Sequence, residues 1–204
     1  MTSANNPDFL TRRCPWCEGD DTYIRYHDEV WGVPVFSDKR LFEFLVLETA
    51  QAGLSWITIL KRQDGYRQAF ANYQIEQVAR YSTARIQKLL QNTGIIRNRR
   101  KIEATVNNAQ RFIEVQKEWG SFSDYYWHFT DGAPIQNTWG DITEIPAQTP
   151  LSGQISKDLR KRGFQFIGPT VMYAFMQATG MVNDHLTSCF RYNEIQKMSS
   201  RPQR

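Results

Sequence analysis

Cysteine is scarce in this chain. Cys14, Cys17 and Cys189 make three, an odd number that closes no disulfide framework and leaves metal ligation or plain burial as their use. No apolar run approaches the ~18 residues that cross a bilayer, and Met1 to Leu10 lacks the positive-then-apolar order of a secretory leader, so the sequence reads as cytosolic. Excess charge is also small: 25 Lys plus Arg against 21 Asp plus Glu leaves +4, which permits a polyanionic partner without demanding one. No strand-like alternation and no internal repeat is visible, which points to an all-α domain. What is plentiful is ring surface. Aromatic residues are 13% and hydrophobic residues 41% of 204, which excludes a disordered chain and leaves rings available for binding.

Residues 1–11 and 194–204 are polar and read as tails around a single helical domain at 12–193. From Ser37 onward the apolar spacing is helical, broken near Gly53, Asp64, Ser82, Gly94, Gly120, Pro146 to Pro150, Gly163 and Gly180. Ser37 is placed to open a helix, Ser121 with Asp124 makes a near capping box, and Pro169 sits in a first turn after Gly168. The helix it starts is apolar nearly all round, so its rings are read as core.

On the helix expected over Asp38 to Gln51, Leu41, Phe44, Leu45 and Glu48 share one stripe, which turns the Glu48 carboxylate toward the core and Glu43 away from it. Burying an unpaired carboxylate is expensive, so Glu48 requires a structural donor, an Arg, or a ligand. Directly after it, Gln51-Ala52-Gly53-Leu54-Ser55-Trp56 reads as a glycine turn that exposes a leucine and opens a helix on a tryptophan. A carboxylate, an apolar wedge and a large ring within nine residues are the parts needed to hold an extruded base and fill its place in the stack. Tyr23 and Tyr26 offer further rings, while Trp56 alone is equally consistent with core packing.

His185 and Cys189 stand four apart in a stretch that reads as helix, a spacing suited to a metal. Cys14, Cys17 and His27 supply further ligands near the amino end, enough for a tetrahedral zinc site drawn from both ends of the domain. Cys14-Pro-Trp-Cys17 also has the form of a redox pair, but that motif belongs at a strand-to-helix junction and no such context is visible. His128 reads as packing.

Gly94-Ile95-Ile96-Arg97-Asn98-Arg99-Arg100-Lys101 places a tight turn and four cations at the start of a helix that runs to about Trp119. Turn amides and a helix N-terminus attract phosphate, although a solvated charged face has the same composition. Lys157, Arg160, Lys161 and Arg162 form a second cluster, which complementing a helix C-terminus already explains.

Taken together, Tyr26-His27-Asp28-Glu29-Val30-Trp31-Gly32-Val33-Pro34, Gln51 to Trp56, Lys161-Arg162-Gly163-Phe164 and Val182-Asn183-Asp184-His185 closely resemble the 3-methyladenine DNA glycosylase I family. The likeness runs from about Arg13 to Tyr192. The resemblance implies a helix-hairpin-helix glycosylase fold, with the hairpin around Gly94 to Arg99, and a structural zinc ion held by Cys14, His27, His185 and Cys189, without Cys17. It implies that Glu48 recognises the alkylated base, that Tyr26 and Trp56 line its pocket with Tyr23 as a further ring, and that Gly53 and Leu54 probe the duplex. Gly94, Arg97, Arg99, Arg100 and Lys101 are the expected DNA contacts.

The implied activity is monofunctional hydrolysis of 3-methyladenine from alkylated duplex DNA by a monomer, the first step of base excision repair. The sequence departs from the family pattern in the residues before Cys14, in Cys17, and in Thr49 where a smaller residue is expected beside the pocket. Rival readings are a non-catalytic zinc-stabilised DNA-binding module, an iron–sulfur glycosylase, for which three cysteines supply too few thiolates, and a redox protein using Cys14 and Cys17.

Overall fold

The computed structural model describes residues 12–198. Its helices are α1 (Asp21–Glu29), α2 (Asp38–Gln51), α3 (Trp56–Leu60), α4 (Gln63–Ala69), α5 (Ile75–Val78), α6 (Thr83–Leu89), α7 (Arg99–Trp119), α8 (Phe122–Trp127), α9 (Pro150–Lys161), α10 (Pro169–Ala178) and α11 (Phe190–Lys197). The fold is all-α, as the periodicity requires. The exception is a pair of two-residue strands, β1 (Ile135–Gln136) and β2 (Val182–Asn183), joined in parallel with Ile135 opposite Val182. They are too short for any alternation to show in sequence, and they hold the 130s loop against the segment that carries Asp184 and His185.

Helix α2 is the axis of the domain. Every residue from Leu41 to Ala50 is buried, because α3, α7, α8 and α10 pack around it on several sides. Phe42 meets Phe112 of α7 edge-on at 5.4 Å, and Phe112 stacks on Phe122 of α8 at 3.9 Å. Asp38, in the first turn of α2, accepts hydrogen bonds from the Phe122 and Ser123 amides at 2.9 and 2.8 Å and from Gln116 Nε2 at 2.7 Å. One carboxylate thereby satisfies the opening amides of α8 and fixes the angle between α7 and α8.

Several caps form where they are expected. Ser121 accepts from the Asp124 amide at 2.9 Å, and Pro169 occupies the first turn of α10. Ser37 precedes α2 without making a side-chain cap bond. The chain between α6 and α7 turns at Gly94 against α4, where a Cβ on Gly65 would collide with the Gly94 carbonyl and the Tyr66 hydroxyl accepts from the Ile96 amide at 3.2 Å.

Two expectations need correction. Residues 185–189 form a turn, not a helix, and Cys189 is the residue that precedes α11. The chain also stays folded past 193: α11 continues to Lys197 with Ile195 fully buried, so residues 194–197 are part of the domain. Residues 1–11, read as a tail, lie outside the described residues.

Candidate active site and metal centre

Two buried carboxylates lie on α2, and their surroundings differ. Glu43 is 4% exposed and meets Arg40 Nη1 at 2.5 Å, Gln63 Nε2 at 3.3 Å and Arg67 Nη2 at 3.6 Å. It does point away from Glu48, yet it is a satisfied structural acid and not a solvated one. Glu48 is also 4% exposed, and no hydrogen bond or ion pair from a described residue reaches it. Desolvation alone pushes its pKa from the ordinary carboxyl value up to about 8.

Glu48 opens into a cavity of about 300 Å³, walled by Trp16, Tyr23, Tyr26, Trp31, Gln51, Trp56, Ile142, Ile145, Ala174 and Gln177. The expected rings Tyr26, Trp56 and Tyr23 are all present. Tyr26 and Trp56 lie 5.4 Å apart in a tilted arrangement, and burial followed by the charge of Glu48 raises the Tyr26 phenol well above its ordinary value. The Tyr23 hydroxyl accepts from the Ile57 amide at 3.0 Å and so fixes the start of α3, which carries Trp56. The Trp56 indole nitrogen is buried near the Tyr26 phenol without forming a well-aligned hydrogen bond.

Sequence reasoning missed several walls. Trp16 and Trp31, 5.0 Å apart, were visible only as neighbours of the Cys and His positions, and Gln51 as one turn past Glu48. Ile142 and Ile145 come from a short 3₁₀ turn with no periodic signal. Thr49, expected near the pocket wall, is buried and bonds the Val46 carbonyl at 3.0 Å, outside the set of lining residues.

Between the lining residues Gln51 and Trp56, Gly53 has φ +79°, the left-handed turn that glycine permits, and Leu54 after it is 39% exposed. Lys101 has a task the sequence did not foretell. Its ammonium donates to the Ala50 and Ala52 carbonyls at 2.7 and 2.6 Å, closing the C-terminus of α2 just before that turn. Burial lowers its pKa. Lys101, expected as a DNA contact, thus has its ammonium engaged by two main-chain carbonyls. Arg97, Arg99 and Arg100 stay exposed around the Gly94 turn, with Arg99 paired to Glu103 at 3.2 Å and Arg100 lying 5.9 Å from the Phe166 ring.

The candidate metal ligands converge. Cys14, His27, His185 and Cys189 are fully or nearly fully buried, with their ligand atoms all within 4.8 Å of one another. Cys14 Sγ lies 3.8 Å from His185 Nδ1, and Cys189 Sγ lies 3.6 Å from His185 Nδ1 and 3.5 Å from His27 Nε2. A tetrahedral ion with ordinary metal–sulfur and metal–nitrogen bonds sets such edges at about 3.6 Å. The outward ring nitrogens are held as metal-binding imidazoles usually are: His27 Nδ1 is 2.7 Å from Asp28, itself gripped by Arg13, and His185 Nε2 is 3.1 Å from the Trp31 carbonyl. The cluster can hold a metal.

Cys17 stands apart from it. Its thiol donates to the Cys14 carbonyl at 3.1 Å, and burial pushes its pKa up to about 11, the opposite of a reactive redox thiol.

The chain matches the methyladenine glycosylase family profile over residues 16–192. It is 46% identical to a DNA-3-methyladenine glycosylase of Haemophilus influenzae over 180 residues, 88% of this chain and 97% of that protein. It is 43% identical to DNA-3-methyladenine glycosylase 1 of Escherichia coli K12 over 180 residues, 88% and 96% of the two chains. Among solved structures, a crystal structure of a 3-methyladenine DNA glycosylase I superposes with TM-score 0.86 at 46% identity, covering 88% of this chain and 98% of that one. A Staphylococcus aureus glycosylase described for its recognition of 3-methyladenine gives TM-score 0.86 at 36% identity, covering 89% and 96%. This chain therefore belongs to the methyladenine glycosylase family.

Proposed function

We propose that the chain is a DNA-3-methyladenine glycosylase that cleaves the N-glycosidic bond of 3-methyladenine in alkylated duplex DNA and so begins base excision repair. The observation that carries this reading is the unpartnered Glu48 carboxylate inside a ring-lined cavity. A DNA-binding module without catalysis has no use for such a group, whereas a flipped cationic base supplies its missing partner.

Magnitudes decide the selectivity. With its pKa near 8, ionising Glu48 at pH 7 costs about 1.4 kcal/mol. A cation about 4 Å away returns about 4 kcal/mol at an intermediate dielectric, and stacking on Tyr26 and Trp56 adds up to ~2 kcal/mol when desolvated. Neutral adenine returns much less and leaves Glu48 protonated. Methylation at N3 makes the base positive within the nucleotide. As the C1′–N9 bond breaks, its electron pair moves to the ring and the base leaves neutral. Water then adds to C1′ and loses a proton, so the leaving group needs no acid. Glu48 acts first in recognition. Among the described residues no lysine lines the cavity, which supports a monofunctional hydrolase without a Schiff base.

In this reading the turn around Gly94 is the hairpin of a helix-hairpin-helix, its amides and Arg97, Arg99 and Arg100 anchor the phosphate backbone, and Gly53 and Leu54 fill the space that the flipped base leaves. Cys14, His27, His185 and Cys189 hold a structural zinc ion. Four protein ligands leave no open position, so the ion supplies rigidity and no reaction step. The protein works as a monomer.

Incubation with methylated duplex DNA, followed by chromatography of the liberated bases, tests the proposal. Release of free 3-methyladenine is expected, with Glu48→Gln sharply slower at unchanged zinc content. DNA binding without base release would refute it.

A further inference from the structure

Gln177, on the last turn of α10, lines the same cavity as Glu48. On the reading of that cavity as a base pocket, we propose that Gln177 is a specificity residue: its side-chain carbonyl, locked in place by Asp184, accepts a hydrogen bond from an exocyclic amino group of the bound base.

The lock is visible in the donors around Asp184, which is 1% exposed. Its Oδ1 accepts from Asn137 Nδ2 at 2.6 Å and Trp139 Nε1 at 2.8 Å. Its Oδ2 accepts from the Tyr173 hydroxyl at 2.6 Å and from Gln177 Nε2 at 2.8 Å. Both Asp184 oxygens are occupied by donors, Oδ1 by the Asn137 and Trp139 N–H groups and Oδ2 by the Tyr173 hydroxyl, so the Gln177 amide meets it through its nitrogen; the flipped amide would set oxygen against oxygen. The main chain at Gln177 is fixed too, its carbonyl accepting from the Gly32 amide at 3.1 Å and the Gly180 amide at 3.3 Å.

With the nitrogen committed to Asp184, Oε1 points the other way and accepts from no described residue. The cavity wall thus offers the Gln177 carbonyl as an acceptor that no proton converts into a donor, beside the titratable Glu48 carboxyl. A 6-amino purine has two N–H bonds to offer there. A 6-oxo purine has none, and its oxygen would face another oxygen. The geometry selects an amino base over its oxo counterpart, a preference that cation capture by Glu48 alone does not supply, since both methylated bases carry the charge in DNA.

Free 3-methyladenine and 3-methylhypoxanthine serve as probes, their binding followed by tryptophan fluorescence of the metal-loaded protein. The native protein is expected to favour 3-methyladenine at least tenfold, and Gln177→Met to cut that ratio about tenfold, the worth of one lost hydrogen bond, at unchanged zinc content. A residue that only supports the wall would weaken both probes alike, so a Gln177→Met ratio within twofold of native overturns the proposal. Should that variant fail to fold, Gln177→Asn withdraws the same oxygen by one methylene and must show the same loss; a native ratio in it also overturns the proposal. If the native protein neither binds either base nor releases 3-methyladenine from methylated duplex DNA, the base-pocket reading itself falls, a separate result from a silent Gln177 change; binding of neither base by a protein that does release 3-methyladenine overturns the proposal.

Discussion

Glu48→Gln should make the protein more stable as it makes it less active, and the gain should grow with pH. The folded carboxyl titrates near 8 because burial disfavours its charge, against the ordinary value of 4.5 in the unfolded chain. Below pH 4.5 both states keep the proton and burial of the acid costs nothing extra. Between those values the unfolded chain releases a proton that the folded one retains, so stability falls by about 1.4 kcal/mol per pH unit. The deficit is under about 1 kcal/mol at pH 5, about 3 kcal/mol at pH 7 and about 5 kcal/mol above pH 8. Glutamine has the shape of the protonated acid and no charge to lose, so it removes the deficit. Urea or thermal unfolding of the metal-loaded pair at pH 5 and pH 7 reads the difference, and a gap of about 6–12 °C in Tm at pH 7 is expected for a domain of this size. The pH dependence of the metal site is common to both proteins and cancels. A Glu48→Gln variant equally stable at both pH values, or weaker at pH 7, would refute the claim that this carboxylate is unpaired and costly.

Three further outcomes test other parts of the molecule. Cys189→Ser should abolish stoichiometric zinc binding and lower the Tm, whereas Cys17→Ser should retain one zinc per chain, measured by elemental analysis; the opposite pattern would move Cys17 into the ligand set. Leu54→Ala should slow base release from duplex DNA at least tenfold with Tm shifted by no more than a few degrees, because the side chain is 39% exposed, and free 3-methyladenine should bind it as it binds the native protein. Lys101→Met should leave the salt dependence of DNA binding unchanged yet reduce base release about tenfold, since the Ala50 and Ala52 carbonyls lose the ammonium that holds the turn before Leu54; a salt slope lower by about one would return Lys101 to the phosphate contacts.

Periodicity was enough to place Glu48 on the inward stripe of α2, since the helix is long and its apolar positions are dense. The same stripe could not tell that Glu43 is buried as well, because that depends on Arg40 and Arg67 arriving from α2 itself and from α4. The four metal ligands were legible as residue types but not as a geometry. His185 and Cys189 meet the cluster from a turn, where a helix was expected, so it is the turn and not helical spacing that brings them together. The bonds from Lys101 to the end of α2 were not legible, because a cation at a helix start looks the same in sequence whether it faces solvent or reaches back to another helix. Trp31, Ile145 and Gln177 enter the pocket through long-range packing, which leaves no local pattern to read.

The metal cluster and the cavity are one construction. Tyr26 faces the cavity while its chain neighbour His27 faces the cluster, so a single turn of α1 serves both. Trp16 lies 5.4 Å from the His27 ring and 5.7 Å from Tyr23, bridging the two sites. Trp31 lines the cavity with its ring, packs 4.7 Å from the His185 ring, and offers His185 its carbonyl. Three pocket rings are therefore positioned by residues that immediately contact or adjoin the metal ligands. A carboxylate attracts a cation more strongly the less solvent surrounds it, and those rings form much of the wall around Glu48. An ion held by the cluster would thus bear on the pocket through the walls around Glu48, without touching any reacting bond.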